Sequence, residues 1–167
     1  KTADQVKRDL NLPTLGAIPL ISKVGTADSK LVMLNSRQNG TSEAFHVLRT
    51  NLQFASVDRP LGLVLVTSPS PAEGKSLTSA NLSVALARSG KRVILVDTDL
   101  HRPNQHQIFR LINHSGLTNA LLSDSSKIEG LLQNTVIDNL RLLTTGPLPP
   151  NPSEILSTKR MQEILTQ

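Results

Sequence analysis

The run from Val66 to Pro103 constrains the fold of this chain more than any other segment. It begins inside an apolar stretch, Leu61–Thr67, and a continuous apolar run of this length predicts a strand buried on both faces of a parallel sheet. Leu77–Ser89 is predicted as a helix, with Gly90 in the usual position just past its end. Arg92–Val96 is a second predicted buried strand. Strand, helix and strand in this order form a βαβ unit, so the sequence predicts an α/β domain whose mostly parallel sheet is flanked by helices.

The rest of the chain contains shorter predicted elements. Apolar residues at helical spacing predict a helix over Ser42–Val57, and Asn151 ahead of Pro152 is typical of the start of another helix. Further helices are predicted at Ala3–Leu10, Pro103–Leu111, Leu117–Leu122 and Lys127–Gln133, and a third strand at Leu140–Thr144.

Composition excludes several classes of protein. The 167 residues include no cysteine, which excludes a disulfide framework and a cysteine metal site. No apolar stretch approaches the roughly 20 residues of a membrane span, and there is no signal-peptide pattern. The net charge of +5 suits phosphate-rich ligands or a membrane surface, and equally an ordinary solvated surface. Because the basic residues are scattered, without aromatic residues between them, we expect no nucleic-acid binding.

Gly74, Lys75 and Ser76 follow the first predicted strand and precede the helix. A mononucleotide loop needs inward-pointing backbone N–H groups, a lysine for the β- and γ-phosphates and a hydroxyl for Mg²⁺. Gly74 allows close backbone approach, Lys75 supplies the charge, and Ser76 supplies the hydroxyl at a helix N-terminus that favours phosphate. Pro69 and Ala72 stand where such loops often keep glycine. An ordinary glycine-containing turn is the alternative, but the position between strand and helix favours a phosphate loop.

Two aspartates, Asp97 and Asp99, follow the second predicted strand. Ligands bind at the carboxyl ends of strands in open α/β sheets, and two carboxylates two residues apart face the same direction if the chain stays extended. One carboxylate can hold Mg²⁺ or its water, and one can accept a proton from an incoming hydroxyl. The alternative for Asp99 is that it only caps the helix beginning near Pro103.

These motifs resemble those of the bacterial tyrosine kinases (BY-kinases), the cytoplasmic ATPase domains of exopolysaccharide co-polymerases. Pro71–Ser76 resembles their Walker A motif, and Val93–Pro103 resembles their Walker A′ motif, a hydrophobic strand followed by Asp-x-Asp. The likeness continues through Gly116-Leu117 and Gly146–Leu156 and covers nearly the whole chain. It implies a P-loop NTPase-like fold, with Lys75, Asp97 and Asp99 as catalytic residues and Ser76, Asp97 and Asp99 as Mg²⁺ ligands. It also implies that ATP binds along Pro71, Ala72, Glu73, Gly74, Lys75, Ser76 and Leu77.

The partitioning and cell-division ATPases of the same superfamily are the alternative relatives. Those carry a signature lysine in the pattern Lys-Gly-Gly-x-Gly-Lys. Ser70 stands at that position here, and Pro71 and Ala72 replace the paired glycines. The departure favours the kinase branch.

A helix with the pattern Glu-x-x-Arg-x-x-Arg, implied in ring assembly of BY-kinases, is similar to Glu43, His46 and Arg49 here. The resemblance implies self-association through this helix, at the cytoplasmic face of the bacterial plasma membrane. It also implies a transmembrane co-polymerase region on the same or a partner chain. Residues 1–40 are interpreted as a lead-in after an expected membrane span, and residues 41–167 as the N-terminal part of the kinase domain.

By the same resemblance, the chain is truncated before the Walker B strand, and it contains no tyrosine to phosphorylate. We therefore expect the intact protein to be an ATP-dependent tyrosine autokinase regulating exopolysaccharide or capsule synthesis and export. We expect residues 1–167 alone to be inactive. One alternative is an ATP-binding assembly switch of the export complex without kinase chemistry, and another is a partitioning-type ATPase.

Overall fold

The computed structural model describes residues 3–21, 30–34, 40–57, 62–123 and 128–166. No helix within these ranges is long and apolar enough to cross a membrane. The helices are α1 (Ala3–Leu10), α2 (Gly40–Phe54), α3 (Lys75–Arg88), α4 (Gln105–Phe109), α5 (Leu117–Leu122), α6 (Pro152–Leu156) and α7 (Lys159–Leu165). The strands are β1 (Val93–Val96), β2 (Gln133–Asn134) and β3 (Leu140–Leu143), and short 3₁₀ turns occur at Val32–Leu34 and Glu129–Leu131.

The described strands form one small mixed sheet in the order β1-β3-β2. β1 and β3 are parallel and in register from Val93 beside Leu140 to Val96 beside Leu143. β2 adds an antiparallel edge to β3. A helix over Lys127–Gln133 was predicted, but the described part of that range contains a 3₁₀ turn and the start of β2. The α/β class is confirmed, with the parallel pair carrying the predicted second and third strands.

Helix α3 forms the centre of the core. Its residues Ala80–Ala85 are all buried, and the helix packs against both β1 and α2. Phe45, the fully buried residue of α2, belongs to the same hydrophobic cluster. Burial of aliphatic and aromatic side chains on both faces of α3 fixes its N-terminus relative to the sheet.

Part of the predicted lead-in packs into this core. Leu31, Val32 and Met33 are buried, and the fully buried Asn81 of α3 joins them to the helix. Its Nδ2 donates to the Lys30 carbonyl over 2.9 Å, and its Oδ1 accepts from the Met33 N–H over 3.2 Å. Residues 30–34 therefore belong structurally to the domain. The boundary near residue 40 stays a prediction.

The predicted first strand is absent over residues 62–67, the part of Leu61–Thr67 that the structure describes. Leu63 is 64% exposed and Leu65 79% exposed, so burial on both faces was wrong for these residues. A strand needs a hydrogen-bonded neighbour, and among the described residues β1 pairs with β3 alone. Gly62–Val66 and Arg92–Val96 both line a cavity of about 700 Å³, and Ile94 in this lining is 44% exposed.

Candidate functional site

The predicted phosphate loop leads directly into α3. Gly74, at the N-cap of α3, has φ 91°, a left-handed conformation that glycine adopts without steric cost. Ala72 has φ 62°, so an alanine occupies a conformation that usually costs about 1–2 kcal/mol for a residue with a Cβ atom. Ala72, which stands where such loops often keep glycine, therefore adopts a left-handed backbone conformation that is more costly for alanine than for glycine.

Glu73 holds the loop from within. Its Oε2 accepts from the Ser70 N–H over 3.1 Å, and the Ser68 hydroxyl donates to the Ser70 carbonyl over 2.9 Å. The first N–H groups of a helix have no acceptor inside the helix, so those of Lys75 and Ser76 lie where an anion binds favourably. This start of α3 has the features of an anion-binding loop.

Lys75 lies against the second aspartate of the predicted pair. Its Nζ is 2.9 Å from Asp99 Oδ2, while Asp99 Oδ1 accepts from the Arg102 N–H over 2.9 Å. Burial alone raises the pKa of Asp99, but the Lys75 ammonium and the Arg102 N–H outweigh burial and hold that pKa below its usual value. Asp99 is therefore a carboxylate at neutral pH, and it neutralises the lysine.

Asp97 is buried, with 5% of its surface exposed. Its Oδ2 accepts from the N–H groups of Asn104 and Gln105 over 3.1 and 3.0 Å, and its Oδ1 accepts from the Asp99 N–H over 3.2 Å. Burial raises the pKa of Asp97, and the three backbone N–H groups only partly offset this effect. The helix-capping role considered for Asp99 falls to Asp97, which accepts from the first N–H group of α4, at Gln105, and from the residue before the helix, Asn104.

Four predicted site residues line the cavity of about 700 Å³: Lys75, Ser76, Asp97 and Asp99. The other predicted nucleotide contacts lie outside that lining, with Pro71, Ala72 and Glu73 exposed and Gly74 and Leu77 half-buried. The structure thus brings the loop lysine, the loop hydroxyl and both aspartates to one place.

The donor set of this cavity fits Mg²⁺. A serine hydroxyl and two carboxylates are hard oxygen ligands, and Mg²⁺ usually takes one or two carboxylates together with substrate phosphates and water. Within the described ranges no group of three or more His, Cys, Asp or Glu side chains could hold a metal by itself. A cation here would therefore share its coordination with Ser76 and with a phosphate.

Gln105 is a residue of this region that the sequence patterns did not indicate. Its Nε2 donates to the Ser76 carbonyl and to the Ser79 hydroxyl oxygen, each over 3.0 Å. A glutamine in a short polar stretch has no motif or spacing that marks it. Only the fold, which lays α4 against the first turn of α3, reveals the contact.

The predicted assembly residues lie along α2. Glu43 is exposed, His46 and Arg49 are half-buried, and their three-residue spacing places them along one flank of the helix. Arg49 Nη2 approaches the Thr50 hydroxyl at 3.5 Å, and Arg49 Nε is buried without a hydrogen-bond partner in the described part of the chain. Self-association through this flank stays a prediction.

Comparison with known proteins places these motifs in context. A model of the CobQ/CobB/MinD/ParA nucleotide binding domain matches residues 64–162. The chain is 46% identical over 134 residues to the tyrosine-protein kinase YwqD of Bacillus subtilis, covering 80% of this chain and 56% of YwqD. It is 33% identical over 147 residues to the putative tyrosine-protein kinase CapB of Staphylococcus aureus, covering 88% of this chain and 64% of CapB. The chain therefore spans about 56–64% of the length of these relatives.

Solved structures give the same result. The crystal structure of the chimerical protein CapA2B2 superposes with a TM-score of 0.85 at 36% identity, covering 98% of this chain and 68% of that one. The kinase domain of the Escherichia coli tyrosine kinase ETK superposes with a TM-score of 0.84 at 25% identity, covering 99% and 67%. The resemblance to bacterial tyrosine kinases and the P-loop fold are confirmed by these similarities.

Proposed function

This chain belongs to the CobQ/CobB/MinD/ParA nucleotide-binding domain family, and we propose on that premise that it is the ATP-binding part of a protein tyrosine autokinase. The observation that carries the proposal is the convergence of Lys75, Ser76, Asp97 and Asp99 on one cavity at the phosphate loop. The relatives named above as tyrosine kinases support the same chemistry. CapB and a putative tyrosine-protein kinase in the cps region of Klebsiella pneumoniae are among the relatives, and we extend the proposal to a role in exopolysaccharide or capsule synthesis.

Lys75 is the residue that receives the phosphates. In the structure its ammonium is paired with Asp99, so phosphate oxygens compete with that carboxylate for the lysine. Once Lys75 contacts the β- and γ-phosphates, it offsets charge on the group being transferred. Mg²⁺, when bound, neutralises further phosphate charge, and Ser76 with Asp97 and Asp99 would hold it directly or through water.

A carboxylate of the Asp97–Asp99 pair accepts the proton of the attacking tyrosine hydroxyl in this proposal. The raised pKa of Asp97 makes it the more basic of the two, whereas Asp99 is the more exposed. Efficient proton acceptance favours a pKa closer to the working pH, but it also requires contact with the hydroxyl. These 167 residues contain no tyrosine, so the acceptor lies outside them.

The proposed setting is the cytoplasmic face of the bacterial plasma membrane, beside a transmembrane co-polymerase region on the same or a partner chain. Subunits would assemble through Glu43, His46 and Arg49, as the BY-kinase resemblance implies. Arg49 Nε is buried and has no hydrogen-bond partner among the described residues, which is compatible with an acceptor supplied by a neighbouring subunit.

The test is Lys75→Met in the full-length protein. Radiolabel from γ-labelled ATP and an anti-phosphotyrosine signal should both fall by about 100-fold or more, because an essential charge at the transferring phosphoryl group is lost. Lys159→Met, at an exposed lysine of α7, is the matched control and should label normally. Full labelling of Lys75→Met would contradict the proposal. ATP binding by the wild-type protein without any phosphotyrosine would favour the assembly switch.

A further inference from the structure

Gln105 joins the two halves of the candidate site. Its side-chain Nε2 binds the first turns of α3, at the Ser76 carbonyl and the Ser79 hydroxyl. Its main-chain N–H binds the Asp97 carboxylate over 3.0 Å. One residue therefore contacts both the backbone of the loop serine and the first aspartate after β1.

Packing alone does not explain a glutamine at this position. Gln105 is 3% exposed, and its Oε1 is buried without a hydrogen-bond partner within the described residues. A buried acceptor without a partner costs free energy that an apolar side chain of the same size avoids. Two hydrogen bonds from Nε2, to the Ser76 carbonyl and the Ser79 hydroxyl, offset this cost.

These contacts restrain the separation of two oxygen donors. Ser76 moves with the first turn of α3, and Asp97 is held by the start of α4, so the two donors lie on different elements. Gln105 itself lines the cavity, and its hydrogen bonds join these two elements. Groups that hold metal ligands in place typically change metal affinity by about 10–100-fold when they are removed.

We propose that Gln105 is a positioning residue that fixes Ser76 relative to Asp97 and so sets the Mg²⁺ affinity of the nucleotide-bound site. The inference rests on the proposed function, since it requires that a nucleotide and Mg²⁺ bind here. Gln105 acts through Ser76 and Asp97. Its loss should weaken the metal-dependent part of nucleotide binding and leave the metal-independent part in place.

The test uses the full-length protein and a fluorescent ADP analogue, titrated first in EDTA and then with increasing Mg²⁺. Gln105→Met keeps the approximate length of the side chain and removes the amide group with its donors. In EDTA its affinity for the analogue should stay within about twofold of wild type, while the Mg²⁺ concentration for half-saturation should rise about tenfold. Gln107→Met, at the exposed glutamine of the same helix, is the control and should match wild type in both titrations.

A second variant covers the case in which Gln105→Met fails to fold. Ser79→Ala removes one of the two acceptors of Nε2 and should raise the half-saturating Mg²⁺ concentration about threefold. The proposal is overturned if the folded Gln105→Met, or Ser79→Ala in its place, keeps the wild-type Mg²⁺ response. It is also overturned if affinity falls equally with and without Mg²⁺, as a purely structural role would give. Failure of the wild-type protein to bind the analogue at all would instead contradict the proposed function.

Discussion

Two polar clusters lie at the carboxyl ends of the two parallel strands, and they differ in how fully their hydrogen bonds are satisfied. The carboxylate cluster, Lys75 with Asp97 and Asp99, follows β1. The amide network, Asn113 with Thr145 and Gly146, follows β3. Both follow neighbouring parallel strands of the same sheet, so the difference between the clusters reflects their side chains and not the fold class.

The amide network uses nearly the full capacity of its asparagine. Asn113 Nδ2 donates to Thr145 Oγ1 and to the Gly146 carbonyl over 3.0 and 3.3 Å. Asn113 Oδ1 accepts from the Gly146 N–H over 2.8 Å and from the Thr145 hydroxyl over 3.2 Å. Both N–H groups of the amide are engaged, and its oxygen accepts from the Gly146 N–H and shares the single hydroxyl proton of Thr145 with the Gly146 carbonyl. The network therefore has little capacity left for a ligand.

The first N–H groups of α5 are also satisfied by backbone acceptors. The Leu117 N–H donates to the Thr144 carbonyl and the Thr118 N–H to the Thr145 carbonyl, each over 2.8 Å. At the start of α3, by contrast, the loop leads into a cavity lined by a lysine and two carboxylates. Satisfied polar groups stabilise the fold beside β3, while charged groups with spare capacity beside β1 remain available for phosphates and a cation.

The largest expected effect comes from a substitution in the carboxylate cluster. Asp97→Asn should reduce Mg²⁺-dependent nucleotide binding by about 100-fold or more, because a buried carboxylate donor is lost. The free energy of unfolding at pH 7 should fall by no more than about 1–3 kcal/mol, because an amide offers one oxygen to N–H groups that two carboxylate oxygens now accept, while removal of a buried charge offsets part of this loss. Urea unfolding and Mg²⁺ titration with a fluorescent ADP analogue measure the two quantities.

Asp138→Asn, in the exposed turn between β2 and β3, is the control for Asp97→Asn and should alter neither quantity. A large loss of stability in Asp97→Asn would show that Asp97 is chiefly a structural cap of α4. The contrast with the amide network would then disappear.

The second prediction concerns overpacking beside the amide network. A Cβ atom on Gly116 would lie 2.0 Å from the Thr144 carbonyl oxygen and 2.7 Å from the Gly146 nitrogen, and both are backbone atoms. Gly116→Ala should therefore lower the free energy of unfolding by roughly 1–3 kcal/mol or more. Gly130→Ala, where nothing lies within 4 Å of the added Cβ, should leave stability nearly unchanged in the same urea titration. Equal stability of the two variants would argue against a tightly packed network.

The third prediction removes the centre of the amide network. Asn113→Ala leaves the Gly146 N–H without its acceptor and removes one of the two acceptors of the Thr145 hydroxyl, which should lower the free energy of unfolding by about 1–3 kcal/mol. Nucleotide affinity of the remaining folded protein should equal that of wild type. Asn134→Ala, at an exposed residue of β2, serves as the stability control. A selective loss of nucleotide binding in Asn113→Ala would show that the network takes part in the site.

Local signals explain what the sequence predicted correctly. Gly74-Lys75-Ser76 ahead of a helix, and an apolar run ending at Asp97, are short patterns, and the structure places α3 and β1 within a few residues of the predicted ranges. The strand predicted at Leu61–Thr67 required a neighbour from elsewhere in the chain. No local pattern reports on that neighbour, so the strand was wrong for the described residues.

The different contacts of Asp97 and Asp99 result from a turn of the backbone just after β1. The prediction that both carboxylates face the same direction assumed that the chain stays extended after β1. Instead β1 ends at Val96, and the Asp99 N–H turns back onto Asp97 Oδ1. Beyond this turn, Asp97 Oδ2 accepts from the start of α4, and Asp99 pairs with Lys75. Gln105 was missed for a related reason, because its partners are 26 to 29 residues away.

The smallest expected effect is the pH dependence of folding stability that Asp97 contributes, which the amide network should lack. Asp97 has a pKa raised above 3.8, so the folded protein holds its proton more tightly than the unfolded chain. Its contribution favours folding below about pH 3.8 and is lost as the pH rises through the folded-state pKa, with a slope of at most about 1.4 kcal/mol per pH unit. The stability of wild type minus that of Asp97→Asn should therefore fall over this interval. Asp99, whose pKa is lowered, changes in the opposite sense in both proteins and largely cancels.

The matching measurement on the amide network is the difference in the free energy of unfolding between wild type and Asn113→Ala. This difference should stay constant with pH, since no partner of Asn113 titrates. Urea unfolding at half-unit steps from pH 3 to pH 7 gives both differences. A flat Asp97 difference would mean that its three backbone N–H groups fully offset its burial. The carboxylate would then be as well satisfied as the asparagine, and spare hydrogen-bonding capacity could not be what separates the two clusters.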